Sequence, residues 1–379
     1  MQYTDFKGKK ISRLGFGSMR MPMDSQGNII AEKVQEMVDY AMANGINYFD
    51  TAYKYHEGNA EKFLGQALAK HPRESFYVAD KLPTWLCSTE EDVKKIFEEQ
   101  LEKTGMEYFD FYLLHSVDDE EWPNIVNLKM IDFIKEQIAA GRVRHMGASF
   151  HCSADALRKI LSEAGDALEF VQLQINYMDW TNEKADEIHK IAVEFGKPVI
   201  VMEPLRGGYL AKPLSQKACD ILDNAGTGAS YPSFGFRFVN ELEGIMTTLS
   251  GMSSLEQMEE NIKIFDEAPL TDEEKKAIDG AVAALNEFLF VPCTGCNYCY
   301  ECPAEIKISE VFKTYNNAAA KGFHHIWGSL SGMYNKIQPN AAACIGCGHC
   351  ESVCPQNIKI IDKLKEIHAK YEHLASIGE

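Results

Sequence analysis

Short β-rich runs alternate with amphipathic helical stretches eight times over about the first 290 residues, and few architectures accept that pattern. The β-like runs are 14–17, 47–50, 76–81, 109–115, 143–149, 170–174, 199–203 and 245–249. The helical stretches include 31–43, 57–69, 89–104, 128–140 and 182–195, where apolar positions recur every three or four residues. Gly45, Gly105, Gly141 and Gly196 stand where helices commonly end. Ahead of the first run, 3–6 and 9–12 flank Lys7-Gly8 and read as a small hairpin. Eight β-then-α units fit an α/β chain folded as a (β/α)8 TIM barrel. A doubly wound sheet is the rival. Its first strand should lead into a G-x-G-x-x-G phosphate turn, but the sequence there is Gly15-Phe16-Gly17-Ser18-Met19-Arg20, and no later junction carries that turn. Residues 271–290 read as a final helix outside the barrel. The expected division is a barrel over 1–290 and a second domain over 291–379 that ends in a helix.

Composition narrows the partners. Of the 379 residues, 45% are hydrophobic and 25% charged, which excludes a disordered or fibrous chain. A formal charge of −18 repels phosphate backbones and anionic lipid, so neither nucleic acid nor membrane is expected as a partner. No run approaches the ~20 apolar residues of a membrane helix. Met1-Gln2-Tyr3-Thr4-Asp5 lacks a basic-then-apolar leader pattern, and a cytoplasmic setting is expected.

Barrel chemistry sits at the C-terminal strand ends. There the sequence places Asp50, Lys81, His115, Ser149, Gln172 and Glu203, with Tyr55 just beyond Asp50. Reducing a carbonyl builds negative charge on its oxygen, which calls for a proton donor and a hydrogen-bond donor. A tyrosine is a sluggish acid near its ordinary pKa of about 10. A neighbouring ammonium stabilises the phenolate, and a carboxylate keeps that ammonium charged and aimed. Tyr55, Lys81, Asp50 and His115 supply these groups, with His115 orienting the carbonyl.

Further residues fit a pattern: Leu14-Gly15-Phe16-Gly17, Asn47 to Ala52, Glu61 with Leu64-Gly65, Asp110 to His115, and Gly147-Ala148-Ser149. Pro204-Leu205 and Ser250 to Ser254, leading to Gln257, Glu260 and Asn261, continue it. Over about residues 8–290 the chain resembles the aldo-keto reductase family. The resemblance implies Asp50, Tyr55, Lys81 and His115 as the catalytic set, with Tyr55 as the acid/base, and a nicotinamide cofactor across the barrel mouth. It implies that Ser149 and Gln172 hold the carboxamide, with Gly17, Met19, Asp50, Met202, Pro204 and Leu205 along the groove. Gly251, Ser253, Gln257 and Asn261 would receive the adenosine phosphate at the start of a helix. Four positions depart from the family: Phe150 replaces a common Asn, Met202 the ring that stacks on the nicotinamide, and Gly251 and Gln257 the basic grip on a 2′-phosphate. NAD and NADP stay open on this reading. Trp85, Trp122, Tyr177, Met178 and Trp180 are loop residues that either wall a pocket or anchor the loops. Lys54 and Arg206 either hold an anionic substrate or, on the preferred reading, are surface cations.

Eight of the eleven cysteines fall between Cys293 and Cys354. A disulfide scaffold would not leave a large Cys-poor domain beside such a cluster in a reducing compartment. Cys293-x2-Cys296-x2-Cys299-x2-Cys302-Pro303 is followed by Cys344-x2-Cys347-x2-Cys350-x3-Cys354-Pro355. The second run has bacterial ferredoxin spacing for [4Fe–4S] clusters, and the first has one residue fewer before its last Cys. A zinc ribbon would need two pairs rather than two quartets each ending in Cys-Pro. In two-cluster ferredoxins the last Cys of each run serves the other cluster. Cys293, Cys296, Cys299 and Cys354 would then hold one [4Fe–4S] cluster, and Cys344, Cys347, Cys350 and Cys302 the other. The tail resembles a two-cluster ferredoxin-like iron–sulfur domain, and the whole chain resembles the ferredoxin-tailed branch of the aldo-keto reductases. His324, His325 and Trp327 read as surface or packing residues.

Three functions are compatible with this set. The first is an NAD(P)-dependent oxidoreductase interconverting a small-molecule carbonyl and an alcohol. The second is an electron-transfer enzyme coupling the barrel to a ferredoxin or flavoprotein, for which a flavin would be needed but is not indicated by any motif. The third is an iron–sulfur redox sensor on an inactive barrel.

Overall fold

The computed structural model describes residues 1–212, 215–287, 291–320 and 334–377. The segment holding His324, His325 and Trp327 lies outside the described residues, as does 288–290 at the end of the expected final helix.

Strands β1 (Tyr3–Phe6) and β2 (Lys9–Ser12) form an antiparallel hairpin turned at Lys7-Gly8. Eight further strands follow: β3 (Leu14–Gly17), β4 (Tyr48–Asp50), β5 (Tyr77–Pro83), β6 (Phe109–Val117), β7 (Val143–Phe150), β8 (Phe170–Gln174), β9 (Val199–Met202) and β10 (Ile245–Ser250). They pair in parallel and in sequence order, and β10 closes on β3. This is the (β/α)8 barrel. Strands covered on both faces need near-continuous apolar sequence, and Phe109 to Leu114 shows it. Inside the barrel, Tyr48, Phe111, Phe170, Ile200 and Met246 join Phe6 and Ile11 of the hairpin in one cluster. Phe6 packs edge-on against Phe170 and His145 near the strand starts, so the hairpin covers the end opposite the chemistry.

The helices differ from expectation mainly at their N-termini. Helix Glu90–Thr104 opens with a reciprocal cap between Thr89 and Asp92 and stops at left-handed Gly105. The helix expected from 57 begins only at Ala60, because His56 and Glu57 take φ of 50° and 57° in a tight turn. The stretch 128–140 is helical over Met130–Ala139, after left-handed Lys129 ends a short helix at Trp122–Asn127. These interruptions sit at lysine, histidine and glutamate, where composition carries no breaker signal.

By compactness the chain divides into two units: Met1–Pro204 with Gly235–Leu270, and Leu205–Phe234 with Thr271–Glu379. In the second, helix Asp272–Asn286 packs with helix Gln216–Asp223, and Gly280 leaves room for Ile221. Its cysteine-rich part has a separate apolar core that includes Val291, Val311, Phe312, Leu364 and Ile367. Tyr334 stacks on Tyr371 in the same core, with ring centroids 3.9 Å apart.

In the barrel unit, helix Ala60–Leu68 crosses the end of Glu90–Thr104 at Gly65. A Cβ there would lie 2.0 Å from the Thr104 carbonyl oxygen. Backbone cannot yield as a flexible side chain does. Gly65→Ala is therefore expected to lose about 3 kcal/mol or more, the upper end of overpacking costs. Denaturant unfolding of the purified variant checks this; an unchanged midpoint would contradict the close approach.

Candidate active site

Parallel register brings the strand ends level. Asp50 pairs with Ala79, Lys81 with Leu113, Pro83 with His115, and Ser149 with Gln172. Four expected residues thereby meet at one rim. Lys81 is fully buried, and its Nζ donates to Asp50 Oδ1 at 2.5 Å, to the Thr51 carbonyl at 2.7 Å and to the Tyr55 hydroxyl at 3.5 Å. The ammonium also lies 5.0 Å from the centre of the Tyr55 ring. Tyr55 stands edge-on to His115, with centroids 6.2 Å apart, and Trp85 lies over the other side of the imidazole at 5.1 Å.

Electrostatics follow from burial. Desolvation raises the Asp50 carboxyl above its ordinary range, and the Lys81 ammonium works against that rise. Desolvation holds His115 well below the usual imidazole value, and the charges of Lys81 and His151 push the same way. His115 is therefore a neutral imidazole at physiological pH. His151, one residue past β7, is itself pushed down to about 4 by burial. Sequence reasoning missed His151, because it lies two residues beyond the expected strand end at Ser149.

The expected groove residues fall into three groups. At the carboxamide end, Ser149 Oγ accepts from the Ser116 amide at 2.8 Å, which leaves its own hydroxyl proton to donate. Gln172 Nε2 donates to Met202 Sδ at 3.5 Å, while Gln172 Oε1 is buried without a partner among the described residues. That acceptor suits an amide N–H of a nicotinamide. At the β3–β10 junction, a Cβ on Gly17 would stand 3.4 Å from the Ser250 carbonyl, and one on Gly251 would stand 3.0 Å from Arg20 Cγ. Met19 lies in the turn Ser18–Arg20, beside the buried and unpartnered Ser18 hydroxyl. Arg20 reaches Glu203 at 3.6 Å, and Glu203 holds a left-handed φ of 55° just before Pro204. Leu205 belongs to the second compact unit. At the phosphate end, helix Leu255–Ile264 is capped by Ser254. Gln257 Oε1 accepts from the Ser253 amide at 2.9 Å, and Asn261 Nδ2 donates to Ser250 Oγ at 3.0 Å.

Of the loop residues considered for pocket walls, Trp85 meets the rim. Trp122 is buried and donates to Glu163 at 2.6 Å, and Tyr177 and Trp180 pack edge-on against Phe238. Those contacts anchor loops. Arg206, expected at the surface, is buried, its guanidinium 6.0 Å from the Tyr209 ring centre.

In the second unit the thiols lie close enough to act on one another's ionisation. Burial first, and then Cys293, Cys354 and Cys299, raise Cys296 to about 12. Burial first, and then Glu351, Cys302, Cys344 and Cys347, raise Cys350 to about 11. No three His, Cys, Asp or Glu side chains among the described residues surround a point as closely as a single metal ion requires.

Comparison with known proteins turns this geometry into a family. Residues 13–283 match the aldo/keto reductase family, well over half of the chain. The chain belongs to the aldo/keto reductase family. Residues 292–358 match a 4Fe-4S dicluster domain. A probable aldo-keto reductase of Glycine max is 25% identical over 268 residues, which is 66% of this chain and 71% of that one. The NADH-specific methylglyoxal reductase of Escherichia coli is 24% identical over 298 residues, 66% of this chain and 89% of that one. The holo form of an aldo-keto reductase from Bacillus halodurans superposes with a TM-score of 0.61 at 23% identity, covering 74% and 95% of the two chains. This aldo/keto reductase is accordingly an oxidoreductase enzyme on a barrel fold. No helix among its described residues is long and apolar enough to cross a membrane.

The buried pair yields a test with a definite sign. Lys81→Met leaves Asp50 desolvated without its cation, a loss on the order of 3–5 kcal/mol for a broken buried pair. Asp50 is then raised further in the folded state. Its contribution is present below the unfolded value near 4 and lost as pH rises through the folded value. Lys81→Met should therefore lose stability relative to wild type from about pH 4 upward. Unfolding curves across that range check it; a pH-independent difference would contradict the buried-pair account.

Proposed function

We propose that the chain is an NAD(H)-dependent oxidoreductase that interconverts a small-molecule carbonyl and its alcohol, with Tyr55 as the proton donor and acceptor. The contact that carries the reading is Lys81 Nζ to the Tyr55 hydroxyl at 3.5 Å, beside the Asp50 pair. A nicotinamide, when bound, supplies or accepts the hydride. The chain manages the proton. Tyr55 gives its hydroxyl proton to the substrate oxygen during reduction and takes it back during oxidation. Lys81 stabilises the phenolate that results, and Asp50 holds the ammonium in place. Neutral His115 donates a hydrogen bond to the same oxygen and orients it. Trp85, against His115, forms an apolar wall on the substrate side.

Ser149 and the open Gln172 Oε1 are assigned to the carboxamide, with Met202 packing on the ring in place of an aromatic side chain. Gly17, Met19, Pro204 and Gly251 are assigned to the groove, and Ser253, Gln257 and Asn261 to the phosphate end. Gln257 brings no positive charge to a 2′-phosphate, and its amide oxygen is occupied by Ser253. NADH is thus favoured over NADPH, a preference that the name of the E. coli relative also states. We assign Cys293, Cys296, Cys299 and Cys354 to one [4Fe–4S] cluster and Cys302, Cys344, Cys347 and Cys350 to a second. Domain limits of 1–290 and 291–379 follow from that assignment.

Anaerobically purified protein should carry iron and sulfide for both clusters. Cys350→Ser should lose about half of the iron while Tyr55→Phe retains it; full iron content in Cys350→Ser would refute the ligand assignment. With a panel of carbonyls and NADH, Tyr55→Phe should lose roughly 10²- to 10⁴-fold in kcat, as expected for a missing general acid. Unchanged turnover in that variant would overturn the assignment of Tyr55. A flavin spectrum in the purified protein, with carbonyl turnover only when a ferredoxin or flavoprotein is added, would favour electron-transfer coupling instead.

A further inference from the structure

Behind Lys81, on the opposite face of β5, a polar group stands where the layer between barrel and helices is otherwise apolar. Asp80 is fully buried there, with Glu61 of helix Ala60–Leu68 and Gln100 of helix Glu90–Thr104 equally buried beside it. Asp80 Oδ1 accepts from the Lys81 amide at 2.8 Å. The other oxygen, Oδ2, has no donor among the described residues. The Glu61 carboxyl lies within hydrogen-bonding reach of Asp80, and its Oε2, like Asp80 Oδ2, is buried without a hydrogen-bond partner among the described residues. Glu61 Oε1 accepts from Gln100 Nε2 at 3.1 Å, and its Oε2 lies 3.2 Å from Lys103 Nζ. The same Gln100 Nε2 donates to the Lys81 carbonyl at 3.0 Å, and Tyr112 donates to Gln100 Oε1 at 2.5 Å. Both backbone polar groups of Lys81 are thus tied to this network, while its ammonium serves the active site on the other face.

Two carboxyl groups cannot share a hydrogen bond unless one keeps its proton. Desolvation, followed by the Glu61 charge, holds Asp80 well above the carboxylate range, while Lys81 opposes the rise and Asp50 adds to it. Glu61, also raised by burial, has Lys103 as its counter-charge. The titratable or charged groups facing the pair among the described residues include Lys81, Asp50, Lys103 and the phenols of Tyr53 and Tyr112, with the Cys87 thiol beside Tyr112.

We propose that Asp80 is kept as a neutral carboxylic acid that donates its proton to Glu61, and that this acid pair is a positioning device for Lys81. The proton resides on Asp80 Oδ2 and bridges to Glu61. Gln100 relays the pair to the Lys81 carbonyl, and Asp80 Oδ1 fixes the Lys81 amide. The rotation of the Lys81 side chain toward Tyr55 then depends on a proton outside the catalytic rim. Ionisation of Asp80 would set two carboxylates against each other and release the clamp.

The kinetic part rests on the carbonyl-reductase reading; the protonation part does not. Infrared difference spectra of wild type against Asp80→Asn at pH 8 should show the carbonyl stretch of a protonated carboxylic acid, present only in wild type. Absence of that band overturns the proposal whatever the enzyme's substrate. In NADH-dependent turnover, Asp80→Asn keeps an amide donor for Glu61 and an acceptor for Lys81, so kcat should fall only a few-fold. Its activity plateau should extend to more alkaline pH than in wild type, because the group can no longer ionise. Asp80→Leu fills the space without donor or acceptor, and should lose roughly tenfold to hundredfold in kcat with little change in the KM for NADH. Equal kcat in the two variants, or an unmoved alkaline limb in Asp80→Asn, would overturn the positioning role. Should no carbonyl be reduced by wild type, the kinetic reading fails while the infrared band still decides the state of Asp80.

Discussion

A fully buried ammonium is the constraint from which the barrel rim is built. Lys81 has no exposure to water, so its charge must be met by protein groups alone. The Asp50 carboxylate, the Thr51 carbonyl and the Tyr55 hydroxyl meet it. Those partners come from β4 and the turn after it, and His115 comes from β6, so they assemble only once the parallel register is set. Folding and chemistry are coupled through one cation. The acid/base role proposed for Tyr55 rests on the same cation, whose burial the Asp50 pair makes tolerable.

The chain carries two chemistries on two apolar cores. In the barrel unit the aromatic interior and the hairpin plug leave the strand ends free for polar groups. In the second unit a separate core supports the clustered thiols. Hydride transfer moves two electrons at once, whereas iron–sulfur centres move one. The residues proposed to handle protons are gathered at the barrel rim, and the thiols proposed as cluster ligands lie in the tail. That segregation follows from the needs of each site: a dry, apolar wall for acid/base work and closely spaced turns for thiolate ligation.

Much of this was legible in the chain before folding. The eight strands were readable because a parallel barrel demands apolar runs at regular intervals, and 14–17 and 170–174 fall on the observed bounds. Asp50, Tyr55, Lys81 and His115 stood out because polar residues at the ends of apolar strands are costly unless used. Helix starts were less readable. Lys129, Lys184, His56 and Glu57 adopt left-handed backbone that their side chains do not announce. From sequence Trp122 could wall a pocket or anchor a loop, and what makes it an anchor is Glu163, a partner 41 positions away. The Asp80–Glu61–Gln100 network escaped notice for the same reason. An aspartate inside an apolar strand has no meaning until two helices are laid over it.

The most direct test of the central claim follows the hydrogen atoms. NADH carrying deuterium on the transferring face of its nicotinamide is supplied with a reducible carbonyl, and the alcohol is analysed by mass spectrometry and NMR. If Tyr55 and its neighbours handle only the proton, deuterium will appear on the former carbonyl carbon and solvent hydrogen on the oxygen. If deuterium is instead washed into water and the new C–H bond carries solvent hydrogen, electrons and protons travel separately, and the rim described here is not the site of hydride transfer.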